Sequence, residues 1–282
     1  MMTTIQKDTL AITVSEWGAE LISVKHRGKE RIWQNENGEW SGHAPVLFPV
    51  CGACEVLVAG KVYACPRHGF AMHERFTLAE KSENRLTYRL ISDARTKELY
   101  PYDFILEVSY EIAGDELKIT YEVHNPSKEE LYFSCGGHDS FALESEIENY
   151  ELVFEKEEKF ASELVTEDGY LTGESRALGV GKILDLRTDL LENSNSICLD
   201  RLNSRSVVLR EKTTEKRVAE VRFPTAQKLV LWRPKGAKML CIEPWQNLPD
   251  EVGCREEFPQ KDGIIQVMPD GKASVTRTIK YD

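Results

Sequence analysis

Apolar and polar residues alternate with a period of two over much of this chain. Phe104, Leu106, Val108, Tyr110 and Ile112 take one side of a run whose other side carries Ile105, Glu107, Ser109 and Glu111. After Ala113-Gly114-Asp115 the alternation resumes, with Leu117, Ile119, Tyr121 and Val123 against Lys118, Thr120 and Glu122. That period fits strands with one buried face, so the two runs are a predicted β-hairpin, ended by Asn125-Pro126-Ser127. Shorter segments of the same kind recur at residues 10–14, 21–26, 86–91, 150–154, 207–210, 219–223, 228–232 and 274–281, mostly separated by Gly, Asn, Asp or Pro. Helical periodicity is weak, and 96–99 and 186–191 are its best stretches. Many short strands with turn punctuation predict an all-β sandwich or barrel, not βαβ units. No repeat, low-complexity tract or linker divides the chain, so residues 1–282 read as a single large all-β domain.

Composition narrows the partners. The chain has 47 acids against 36 Lys plus Arg, a net charge of −11, which disfavours nucleic acid and anionic membranes as partners. The start, Met1-Met2-Thr3-Thr4-Ile5-Gln6-Lys7, lacks a basic stretch followed by an apolar one, and no apolar run approaches the roughly 20 residues of a membrane span. Seven cysteines without a secretory signal read as reduced thiols. The expectation is a cytoplasmic protein, monomer or homodimer.

Three ionisable residues sit in compact Gly- or aromatic-rich settings: His68 in Arg67-His68-Gly69-Phe70, His138 in Gly136-Gly137-His138-Asp139, and Glu243 in Cys241-Ile242-Glu243-Pro244-Trp245. They are 70 and 105 residues apart, so only tertiary structure can gather them. Together they offer a carboxylate base, an imidazole acid and a second imidazole for orientation, a set suited to moving protons on a neutral polyol. Each has a plainer reading: His68 as a half-buried loop residue, His138 as a turn residue, Glu243 as an edge-strand residue facing water. Among apolar neighbours Glu243 needs a partner or a wet pocket, and burial would raise its pKa toward that of a base. His68 also completes Cys51-x2-Cys54-x10-Cys65-x2-His68, close to a structural zinc spacing. The strand-like segment 55–63 between these residues, and a chain that needs no metal to fold, weigh against zinc. Elsewhere, His26 reads as an exposed turn residue and the acidic stretch 144–158 as a solvated face.

Taken in order, these motifs resemble the aldose 1-epimerase (galactose mutarotase-like) family, nearest its bacterial LacX-type branch. The resemblance rests on Ala44-Pro45-Val46-Leu47-Phe48-Pro49, Arg67-His68-Gly69-Phe70-Ala71, Tyr100-Pro101-Tyr102-Asp103-Phe104, Gly136-Gly137-His138, Leu231-Trp232 and Cys241-Ile242-Glu243-Pro244-Trp245, and so covers nearly the whole chain. It implies a β-supersandwich that binds a sugar in an open cleft and interconverts its anomers. In that scheme Glu243 is the general base, His138 the general acid and His68 a sugar-binding histidine, with Arg67, Trp232, Trp245 and Asn195 as further contacts. Ring opening by acid–base catalysis calls for no cofactor. The chain departs from the pattern at Ala53 and Met72, where relatives carry Arg, and at Asn195, where Asp is usual. Losing two arginines weakens the sister reaction, hexose-6-phosphate 1-epimerisation, because arginine is the natural bidentate phosphate binder. A carbohydrate-binding protein that kept the fold without the activity is the other alternative.

Overall fold

The computed structural model describes residues 1–35, 37–191 and 196–282. The expected hairpin lies two strands from one edge of a 13-stranded antiparallel sheet. Ile105–Ala113 pairs with Glu116–His124 in full register, Val108 opposite Tyr121 and Leu106 opposite Val123. From this pair the sheet extends one way through Arg85–Ile91 to Thr77–Lys81. The other way it passes through Lys272–Tyr281, Arg217–Arg222, Ser206–Glu211, Tyr150–Val165, Ile197–Leu199 and Lys228–Trp232 to Met239–Trp245 and Asp139–Ala142. A four-stranded sheet of residues Met2–Lys7, Leu10–Ser15, Leu21–His26 and Lys29–Glu30 packs against it. Ile12, Val24, Tyr88, Tyr110, Leu117 and Ile279 share one continuous core between the two layers. The all-β expectation is therefore met by large twisted antiparallel sheets. Among the described residues helix is confined to short pieces such as Ala94–Leu99, which Asp93 opens by accepting a hydrogen bond from the Thr96 backbone N–H. Among the described residues no helix is long and apolar enough to cross a membrane.

Two surface expectations are corrected. Within the stretch 144–158, Glu158 is only 3% exposed and accepts from the Ser204 and Asn203 backbone N–H groups at 2.6 and 3.1 Å. Glu151 is buried beside Arg210, whose Nε donates to it at 2.7 Å. These acids have local donors, and that is what permits their burial. His26 is likewise buried, with Nε2 3.0 Å from Asp115, a residue 89 positions along the chain.

The strand Met239–Trp245 positions the site. Every one of its seven residues is buried. Leu240 and Ile242 point into the main core, while Cys241, Glu243 and Trp245 share the opposite face. A strand covered on both sides carries a nearly unbroken apolar run, which is why one glutamate stands out in it.

Candidate active site

Cross-strand register builds the site. Val230 stands opposite Glu243, Cys198 opposite Val230, and Glu163 opposite Cys198, so these side chains form one row on one face of the sheet. On the other flank Asp139 pairs with Ile242, and Gly136 bridges Trp245. That register sets His138 directly across from Glu243. Gly136 has to lack a side chain: a Cβ there would lie 2.5 Å from the Trp245 ring. Trp245 is buried, its Nε1 donating to the Gly137 carbonyl at 3.1 Å, so the indole fixes the Gly136-Gly137 turn that delivers His138.

The result is a close contact: His138 Nε2 lies 3.3 Å from Glu243 Oε2. Glu243 is 1% exposed, and among the described residues neither its Oε2 nor His138 Nδ1 has a hydrogen-bond partner. Burial pushes the Glu243 carboxyl well above the ordinary carboxylate range, reinforced by the negative charge of Asp139 and opposed by Arg67. Burial also drives His138 down to about 3. Both shifts favour the neutral forms, carboxyl and imidazole, over the ionised pair.

His68 closes the group from another direction. The segments Ala44–Pro49 and Arg67–Ala71 lie side by side, the Phe48 carbonyl accepting from the Phe70 and Ala71 N–H groups at 3.0 and 3.2 Å. His68 adopts φ +66°, a left-handed conformation uncommon for a side-chain-bearing residue. Its backbone N–H donates to the Gly52 carbonyl at 2.9 Å, and its Nδ1 accepts from the Gly52 N–H at 3.0 Å. Desolvation, then His138 and Arg67, hold its pKa well below the usual histidine value. A neutral imidazole that accepts at Nδ1 carries its proton on Nε2, so His68 is a fixed donor. Its ring meets His138 edge-on at 5.8 Å and Trp245 at 5.4 Å. Arg67 is exposed, and its charge reaches Glu243, His138 and His68 alike.

The structure thus gathers Glu243, His138, His68 and Arg67, with Trp232 half-buried at the edge, 5.8 Å from the His138 ring. Asn195 lies outside the described residues. Sequence reasoning missed Trp40, which stacks on His138 at 5.1 Å and meets Trp232 edge-on at 5.3 Å. Gly42 was a signal for it: a Cβ at that position would lie 2.4 Å from the Trp40 ring. Met72 packs against the apolar cluster of Leu47, Cys51, Cys198, Val230, Trp245 and Leu248; Ala53 is buried.

Cys51, Cys54, Cys65 and His68 do not bring their donor atoms into one sphere, because the hairpin Val56–Val58 and Lys61–Tyr63 intervenes. His68 Nδ1 is taken by Gly52, and Cys54 Sγ lies 3.9 Å from Lys261 Nζ. All seven cysteines are free thiols. Among the described residues the one set of three or more His, Cys, Asp or Glu with mutually close ligand atoms is His138, Cys241 and Glu243.

The large antiparallel β fold carries a buried carboxyl–imidazole pair, and the comparisons with known proteins support a mutarotase-like carbohydrate epimerase. Comparison with known proteins makes this specific: the family model for aldose 1-epimerase matches residues 1–260, and the chain belongs to that family. It is 30% identical to the chromosomal protein LacX of Lactococcus lactis subsp. lactis over 286 residues, covering 94% of each chain. Among solved structures it resembles a galactose mutarotase related enzyme from Lactobacillus acidophilus, with TM-score 0.88 and 26% identity over 100% of this chain and 97% of that one. A galactose mutarotase-like protein from Lactobacillus casei superimposes with TM-score 0.92 at 23% identity over the full length of both, which establishes the galactose mutarotase-like fold.

Proposed function

We propose that the chain interconverts the α and β anomers of a free aldose by acid–base ring opening. The contact between Glu243 and His138 carries this reading. Ring opening takes a proton from O1 and gives one to the ring oxygen, two atoms bonded to the same carbon. Two proton-handling atoms 3.3 Å apart match that demand. In this scheme the Glu243 carboxylate takes the O1 proton while His138 imidazolium protonates the ring oxygen. The C1–ring oxygen bond breaks as the C1=O1 double bond forms. The aldehyde turns about C1–C2, and the reverse transfers close the ring on its other face. The neutral pair and the ionised pair hold the same number of protons, so the two interconvert by one transfer across the 3.3 Å contact. His68 Nε2–H and the Arg67 guanidinium supply donors to sugar oxygens, and Trp232 an apolar edge. Trp245 acts beneath the site by holding the Gly136-Gly137 turn.

The apolar setting of Met72 and the burial of Ala53 favour a neutral sugar over a phosphorylated one. Polarimetry or NMR exchange on a panel of aldoses is expected to show acceleration that falls by about 10²–10⁴-fold in Glu243→Gln and in His138→Asn. Glucose 6-phosphate is expected to be a poorer substrate than glucose. A panel with no acceleration above buffer overturns the reading. Sugar binding with undiminished affinity in that case would identify a binding protein instead.

A further inference from the structure

We propose that His138, Cys241 and Glu243 form a binding site for a zinc-class divalent ion, and that an ion held there blocks the proton-transfer pair. Cys241 lies two residues from Glu243 on the same strand face, opposite Ser140 and Trp232, and is fully buried. The three ligand atoms lie within 4.8 Å of one another, with the imidazole–carboxylate edge already at 3.3 Å. A tetrahedral zinc with ligands near 2.0–2.3 Å sets its ligand atoms roughly 3.5 Å apart, so a small contraction of the thiol edge completes the set. Glu243 Oε2 is buried and has no hydrogen-bond partner among the described residues, an acceptor that an ion satisfies.

The donor chemistry selects the ion. One thiolate, one imidazole and one carboxylate suit zinc or cobalt; magnesium and calcium take oxygen ligands. As the metal–sulfur and metal–oxygen bonds form, the Cys241 thiol and Glu243 carboxyl protons leave to solvent. The ion then occupies both the proposed base and the proposed acid, so sugar turnover and metal binding exclude each other. Three protein ligands leave a fourth position for water. The blocking role rests on the function proposed above; the site itself does not, because metal binding is read without activity.

Titrating the metal-free protein with Co²⁺ gives that reading. The expected result is one equivalent bound, with a thiolate-to-cobalt charge-transfer band that disappears in Cys241→Ala and in Cys241→Val, two variants of a residue outside the proposed machinery. With Zn²⁺, wild-type mutarotation is expected to stop and to return on chelation. The inhibitory concentration should rise at least about tenfold in either variant, since even outer-shell changes at metal sites cost that much. A charge-transfer band that survives both substitutions would place the ion at another thiol, such as Cys254, and overturn the proposal, as would the absence of a thiolate band. If no aldose is turned over but the band appears and depends on Cys241, the metal site stands and the proposed reaction fails.

Discussion

Asp139, the residue after His138, is held by Arg277 through two parallel hydrogen bonds, Nε to Oδ2 at 2.6 Å and the terminal nitrogen to Oδ1 at 2.9 Å. Both are almost fully buried, and the guanidinium also lies over the Tyr121 ring at 5.1 Å. The pair ties the strand that delivers His138 to Lys272–Tyr281 across the core. Arg277→Met leaves a buried, unpaired carboxylate and is expected to cost about 3–5 kcal/mol in urea denaturation. The double variant Asp139→Asn, Arg277→Met should recover much of that loss. If the single and double variants are equally unstable, the pair is not what holds this strand.

Gly69 is expected to be as sensitive as any core residue. It adopts φ +75°, and a Cβ there would fall 2.0 Å from the Phe48 carbonyl oxygen, a rigid backbone atom. Gly69→Ala must therefore separate the two segments whose contact orients His68, at a cost of roughly 2–4 kcal/mol. Gly28, also at positive φ but with open space around it, is the control and should lose far less on the same change. Equal melting temperatures for the two variants would show that the 44–49 and 67–71 segments can part freely.

How much of this was legible follows from which faces are buried. The hairpin of 105–124 was readable because one face is in the core and the other is wet. The strand Leu171–Asp185 was not, because apart from a bridge between Leu171 and Glu251 it pairs with Tyr150–Val165 on one side and is exposed along most of its length, so Thr172, Glu174 and Arg176 carry no alternation. Glu243 and the two histidines were legible as chemical oddities, but their meeting depends on a register between strands a hundred residues apart. Trp40 meets His138 through tertiary packing, its carbonyl accepting from Trp33 Nε1 at 2.8 Å, and Cys241 lies beside Glu243 by strand alternation. The cysteine spacing counts residues along a chain that turns back on itself at Ala59-Gly60, within the strand-like segment that weighed against a zinc site.

Arg67 tunes the pair from the surface. Its charge lowers the pKa of Glu243 and of His138. Arg67→Met is therefore expected to raise both, moving the two limbs of the pH–rate profile to higher pH. The wild-type acid limb belongs with the His138 value of about 3 and the alkaline limb with the raised Glu243 carboxyl, because turnover requires one proton on the pair. Measuring kcat/KM against pH for both proteins decides this. A change in KM alone, with both limbs fixed, would make Arg67 a sugar contact without electrostatic influence on the chemistry.

The same raised carboxyl has a cost in stability. A group whose folded pKa lies above its unfolded value near 4.3 stabilises the fold fully at low pH, and that contribution is lost as pH rises toward the folded value. Over that interval the unfolded chain releases the Glu243 proton while the folded chain retains it, so stability falls by about 1.4 kcal/mol per pH unit. Glutamine is nearly isosteric and cannot ionise. Glu243→Gln should match the wild type near pH 4 and become progressively more stable toward neutrality, with the gap levelling off once the folded carboxyl ionises. Melting curves at several pH values, paired for the two proteins, give the difference directly and cancel every other titrating group. Parallel curves would mean that Glu243 ionises at an ordinary pH in the fold, and the neutral pair with His138 would have to be abandoned.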